Sequence, residues 1–92
     1  MLNPKILIVR KKLDKLDEKL LILIKQRTKL VSQILSYKKR KSEIIDKKRI
    51  KIILKKIKLK SLKMKIDPLI TKKIWITMIK SFIDYEYRNF DK

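Results

Sequence analysis

The stretch LLILIKQRTKLV, residues 20–31, decides the fold and holds one residue that breaks its pattern. Around it, apolar residues recur at intervals of three and four: Ile6, Val9, Leu13, Leu16, Leu20, Leu23, Leu30, Ile34 and Tyr37. This spacing is typical of a helix that packs lengthwise against other helices. The one position missing from the series is occupied by Arg27. A charge at such a position is costly unless a partner group meets it.

The same series predicts a first helix from about Lys5 to Lys39, with Pro4 in its first turn. At about 1.5 Å per residue this helix is a rod of roughly 50 Å. A compact chain of 92 residues has a radius of gyration of only about 12 Å. Because its own chain cannot cover so long a rod, we predict that a second copy does, in an obligate homodimer.

The remainder of the chain predicts two shorter helices. Residues 38–43 are polar and indicate a loop, and Asp46 is typical of the cap of a second helix that continues to about Leu62. Residues 57–66 alternate like a strand, but no partner strand is visible, so we interpret them as the helix end and a linker. Asp67 and Pro68 begin a third helix that ends near Phe90. The predicted fold is all-α, three helices interlaced in a homodimer, with residues 1–92 as one domain. The expected inward positions are Ile50, Ile53, Leu54, Ile57, Ile70, Ile74, Trp75, Met78, Phe82 and Ile83.

Composition excludes several kinds of chemistry. The chain has no Cys, His or Gly, so it offers no thiolate or imidazole set for a metal, no Ser-His-Asp triad and no glycine-rich phosphate loop. We therefore expect no cofactor and no metal. The longest apolar run, Leu20 to Ile24, is far shorter than a membrane span, and the first apolar run is too short for a signal peptide. We expect a cytoplasmic protein without a membrane partner.

The net charge of +19 first indicates a nucleic-acid partner. Nearly all the cations are lysines, whereas readers of phosphates and bases usually rely on arginine. Ile is also abundant and Ala absent, as an AT-rich genome would produce. We interpret the charge mainly as composition and expect no nucleic-acid partner. A non-catalytic helical dimer that binds polyanions remains the alternative from another class.

Three cations share one long helix. Arg27 and Lys38 are eleven residues apart and therefore lie on one face, whereas Arg10 lies about 25 Å from Arg27 along the rod. In an antiparallel dimer, Arg10 of one chain approaches Arg27 of the other. These positions also have plainer interpretations: Arg27 as a buried structural charge, and Arg10 and Lys38 as surface cations.

Three further charged residues lie near the helix ends. Asp46 and Arg49 are one turn apart at the start of the second helix, and Glu86 is one turn beyond Phe82 in the third. Asp46 as a simple cap and Glu86 as a surface acid are the plainer interpretations. Together with the cations, these residues predict a pocket for a small dicarboxylate, since arginine binds carboxylates with two hydrogen bonds. Catalysis in such a pocket comes from holding a flexible anion and stabilising charge as it develops.

The chain resembles the all-helical chorismate mutase family. The resemblance runs from about Ile8 to Phe90, through VRKKLDKLDEKLLILIKQRTKLVSQILSYKK, IIDKKR and IDPLITKKIW. It implies an isomerase of Phe and Tyr biosynthesis that converts chorismate to prephenate without a cofactor, in a dimer with two sites. Its most specific part is the ordered set Arg10, Arg27, Lys38, Asp46, Arg49 and Glu86.

The resemblance also implies a role for each member of that set. Arg10 reaches into the partner's site and binds a substrate carboxylate, while Arg27 binds a carboxylate from its own chain with support from Arg49. Lys38 donates to the ether oxygen, and Glu86 is the second donor to it, which requires a protonated carboxyl group. Asp46 begins the second helix and helps to place Arg49.

Two departures from the family pattern favour a second activity. Ile50 stands where typical mutases have a Glu that holds the ring hydroxyl, and Phe82 stands where they often have a Ser. An apolar residue after the arginine and an aromatic-Ile pair, as in SFIDYE, are more similar to the isochorismate pyruvate-lyase branch. That branch shares the fold and forms salicylate, so lyase activity remains the alternative to mutase activity.

Overall fold

The computed structural model describes residues 3–91 and is all-α over that range. Its helices are α1, Pro4–Tyr37, α2, Lys47–Lys63, and α3, Pro68–Asn89, with a single 3-10 turn at Lys41–Glu43. The described residues contain no strand, so the predicted fold class is confirmed. The chain divides into two compact units: the first ends at Val31 and the second begins at Ser32.

The first unit is the greater part of α1, and its apolar side chains are exposed. The members of the predicted series that lie in this unit are between 44% and 59% exposed. Leu7, Ile8, Leu21, Ile22 and Ile24 are exposed as well. Exposed aliphatic surface of this extent is unfavourable in water, and a second copy that packs against α1 would cover it. The homodimer itself stays a prediction.

In the second unit, α2 packs against α3. The predicted inward residues of α2 are all half-buried, whereas Ile70 and Ile74 of α3 are 55% and 52% exposed in the single chain, so their inward position stays a prediction. The position between them, Thr71, is buried instead. Its hydroxyl group lies 2.8 Å from that of buried Ser61 on α2, and Ser61 donates to the carbonyl of Ile57. Because its hydroxyl group has a partner, a threonine takes a position that the apolar pattern alone would not give it.

The helix boundaries follow from local hydrogen bonds. The side chain of Asp46 accepts a hydrogen bond from the backbone N–H of Arg49, and Asp67 accepts one from Leu69, so both predicted caps are confirmed. At the end of α2, the N–H of Ile66 donates to the carbonyl of Ser61 and that of Lys65 to Leu62. Lys65 adopts a positive φ of 58° in this turn, a conformation that favours glycine. The turn ends α2 at Lys63, inside the segment whose alternation resembles a strand.

Candidate functional site

The second unit contains an open cleft of about 720 Å³ between the end of α1, the 3-10 turn and α2. Two predicted site residues, Lys38 and Asp46, line the cleft, together with Ser42, Glu43, Ile45, Lys47, Lys48 and Tyr87. The lining includes three lysines and two acidic side chains, so the cleft presents charges of both signs.

A partly buried ion pair stands beside this cleft. Lys38 Nζ donates to Glu86 Oε1 at 2.9 Å and lies 3.4 Å from the carbonyl oxygen of Ile44. The two side chains are only 17% and 8% exposed. A charge-assisted hydrogen bond of this length between shielded groups fixes both side chains more firmly than a surface pair does. The structure therefore brings together the two residues to which the family resemblance assigns contacts with the ether oxygen.

The backbone around Lys38 is shaped by two buried side chains. Lys38 directly follows α1, where its own N–H donates to the carbonyl of buried Leu35. Residues 41–43 then form the 3-10 turn, in which the N–H of Ile44 donates to the carbonyl of Lys41. Ile44 is 3% exposed and anchors this turn. We predicted only a polar loop here, because a single buried isoleucine leaves no periodic signal.

Asp46 and Arg49 are linked through the backbone. The carboxylate of Asp46 accepts the N–H of Arg49 at 3.0 Å, and the Arg49 side chain is exposed. This bond fixes the first turn of α2 at the rim of the cleft. Asp46 thus has the role of a cap, as the plainer interpretation holds, and also lines the cleft.

Arg10 and Arg27 both lie on α1 in the first unit. Arg10 is exposed and Arg27 is half-buried. Seventeen residues of continuous helix separate them by about 25 Å, so within one chain these two guanidinium groups do not meet. Their assignment to one site through a second copy stays a prediction.

A second contact beside the ion pair was missed at the sequence level. The hydroxyl groups of Ser32, near the end of α1, and Tyr85, next to Glu86, lie 2.8 Å apart. The rings of Phe82 and Tyr85 pack edge to face, with their centroids 6.5 Å apart. No sequence signal joins positions so far apart along the chain.

Two absences hold for the part of the chain that the structure describes. Residues 3–91 contain no group of three or more acidic, His or Cys side chains able to hold a metal ion. Over the same range, no helix has the length and apolar character required to cross a membrane.

Comparison with known proteins identifies one family. The sequence model of chorismate mutase type II matches residues 9–87, a span that contains all six predicted site residues. No curated protein gives a significant match to the chain. No solved structure gives one either.

Proposed function

The chain belongs to the chorismate mutase type II family, and we propose that it converts chorismate to prephenate. The family is one of isomerases that act on chorismate in aromatic amino-acid biosynthesis. The observation that supports mutase activity in this chain is the Lys38–Glu86 pair, held at 2.9 Å beside an open cleft. In the rearrangement, one C–O bond of the substrate breaks while one C–C bond forms within the same molecule. The enzyme supplies no atoms, so placement and electrostatics are its whole contribution.

We propose that Lys38 stabilises the ether oxygen as the C–O bond breaks. This oxygen gains negative charge in the transition state, and an ammonium group nearby lowers the energy of that charge. Contacts with Glu86 and the Ile44 carbonyl hold Lys38 Nζ in place before substrate binds. Because a held donor needs little reorganisation during the reaction, its effect is larger than that of a mobile lysine.

We propose that two arginines bind the two substrate carboxylates and that a third supports one of them. Arg27 binds one from its own chain, Arg10 of a second copy binds the other, and Arg49 supports Arg27. The Asp46 cap supports Arg49 by fixing the backbone of that first turn. Guanidinium groups suit this task because they donate two parallel hydrogen bonds to a carboxylate.

We propose that residues 1–92 act as one domain in a homodimer. The support is the row of exposed aliphatic side chains on α1, from Ile6 to Leu30, which a second α1 would cover. Arg10 lies within this row and would then enter the partner's site. A cytoplasmic location stays a prediction.

We propose that Glu86 is the second donor to the ether oxygen when its carboxyl group is protonated. As an ionised group it accepts from Lys38 and has no proton to donate. Glu86→Gln, whose amide is able to donate a hydrogen bond, is therefore expected to keep this role. Loss of chorismate turnover in Glu86→Gln would contradict this role.

The experiment that tests the proposed site is Arg27→Ala, with Arg40→Ala as its matched control. Arg40 is exposed, and its side chain makes no capping hydrogen bond at the 3-10 turn. We expect Arg27→Ala to lower kcat/KM for chorismate by about a hundredfold or more, because a charge-assisted carboxylate contact is lost. The control is expected to keep its turnover. Circular dichroism and gel filtration establish that both variants are folded dimers, and normal turnover by Arg27→Ala would refute the assignment.

A second candidate activity is isochorismate pyruvate lyase. The observation that favours it is Ile50, a half-buried apolar residue in the first turn of α2, directly after Arg49. Typical mutases have a Glu at this position that holds the ring hydroxyl of chorismate. Isochorismate carries its hydroxyl group elsewhere on the ring, so an apolar residue here suits the lyase reaction. Salicylate formed from isochorismate would support the lyase.

A further inference from the structure

We propose that Tyr85 is a positioning residue that, with Ser32, fixes the geometry of the Lys38–Glu86 pair. The Tyr85 hydroxyl lies 2.8 Å from Ser32 Oγ in a partly buried contact, and either group is able to donate. The part of this inference that concerns turnover rests on the proposed function. The part that concerns the ion pair does not.

Two side-chain contacts join the same two elements. Ser32 lies six residues before Lys38 at the end of α1, and Tyr85 directly precedes Glu86 on α3. The hydroxyl contact and the ion pair therefore both connect the end of α1 with the last turns of α3. These two contacts at different points add to the packing of α3 against α2 and restrict rotation of α3 about its own axis.

Tyr85 and Glu86 are neighbours on α3, so a restriction on the rotation of this helix also affects the Lys38–Glu86 ion pair. Successive residues of a helix point about 100° apart. A rotation of α3 that separates Tyr85 from Ser32 also swings the Glu86 carboxylate relative to Lys38. Because hydrogen-bond strength falls steeply with distance and angle, even a small rotation weakens the 2.9 Å contact.

Tyr85 is itself held on two other sides. Its ring meets that of Phe82 at 78° with centroids 6.5 Å apart, and its backbone carbonyl accepts a hydrogen bond from the side chain of Asn89 at 2.8 Å. The contact with Phe82 restrains the ring that carries the hydroxyl group, and the bond from Asn89 restrains the backbone of Tyr85. Tyr85→Phe removes that hydroxyl group and leaves the ring contact in place, so it isolates the bond to Ser32.

The kinetic test is Tyr85→Phe, with Tyr37→Phe as its matched control. Tyr37 loses the same hydroxyl group from a side chain that is 81% exposed. We expect Tyr85→Phe to lower kcat about fivefold with KM changed less than twofold, because a misplaced Lys38 weakens the transition state rather than substrate binding. Ser32→Ala is expected to do the same, and the double variant to be no worse than either single variant. Unchanged kcat in both single variants would overturn the proposal.

The second test needs no activity. A double-mutant cycle combines Lys38→Met and Glu86→Gln, first in the parent protein and then in the Tyr85→Phe background. The coupling is the factor by which the effect of one substitution on the unfolding equilibrium constant changes when the other is present. We expect coupling of about tenfold to fall below about threefold when the hydroxyl group is absent. Coupling that stays the same would show a contact without a positioning role and would overturn the proposal. If the parent protein does not rearrange chorismate, the proposed function fails, and this cycle alone decides whether Tyr85 positions the pair.

Discussion

Replacing Lys38 by methionine is expected to destabilise the protein by leaving the Glu86 carboxylate without its ammonium partner. The two side chains are 17% and 8% exposed, and their charged atoms are 2.9 Å apart. Removal of one partner from a fully buried pair costs about 3–5 kcal/mol, because the remaining charge stays desolvated. Since water retains some access here, we expect a loss of about 2 kcal/mol in the free energy of unfolding. For a chain of this size that lowers Tm by roughly 10 °C.

The assay is urea and thermal unfolding at one fixed protein concentration, since a dimer's stability depends on concentration. Lys38→Met/Glu86→Gln is expected to recover about half of the loss, because the amide carries no charge to desolvate. Lys39→Met is the matched control; its side chain is exposed, and we expect a change within about 0.5 kcal/mol. A single variant as stable as the control, or a double variant with no recovery, would refute the reasoning.

Three further predictions concern stability and are measured by urea unfolding. Asp46→Ala is expected to cost about 1 kcal/mol, since the N–H of Arg49 loses its cap, and Asp46→Asn is expected to recover most of it. Lys65→Gly is expected to stabilise by about 0.5–1 kcal/mol, because relief of the positive φ exceeds the entropy cost of glycine. Thr71→Val is expected to cost about 1 kcal/mol, with Ser61 keeping its bond to a backbone carbonyl; a neutral result would show that the hydroxyl pair contributes nothing.

Local features of the fold were predictable because their causes lie close together in the sequence. The N–H groups that donate to the caps Asp46 and Asp67 follow them within three residues. The apolar series of α1 is a property of one continuous helix, and it predicted the length of that helix. These features depend on spacing, which a sequence displays directly.

Features that depend on distant residues were predicted less well. The buried pair of Thr71 and Ser61, which gives the core a polar position, was not predicted. The buried turn at Ile44 was also missed.

The candidate site shows the same division. Charge and the family resemblance singled out Lys38 and Glu86, but their direct contact spans 48 positions and needed the structure. The Ser32–Tyr85 contact spans 53 positions and involves two residues that are common on helix surfaces. Neither residue carries a charge or breaks a pattern, so nothing in the sequence marks them.

The measurement that tests mutase activity most directly is a substrate comparison on the purified protein. Chorismate is followed by the loss of its absorbance, and isochorismate by the fluorescence of salicylate. The proposed function predicts that chorismate is consumed and that no salicylate forms, which would also show that Ile50 is tolerated in a mutase. Salicylate from isochorismate without turnover of chorismate would contradict it and assign the chain to the lyase reaction.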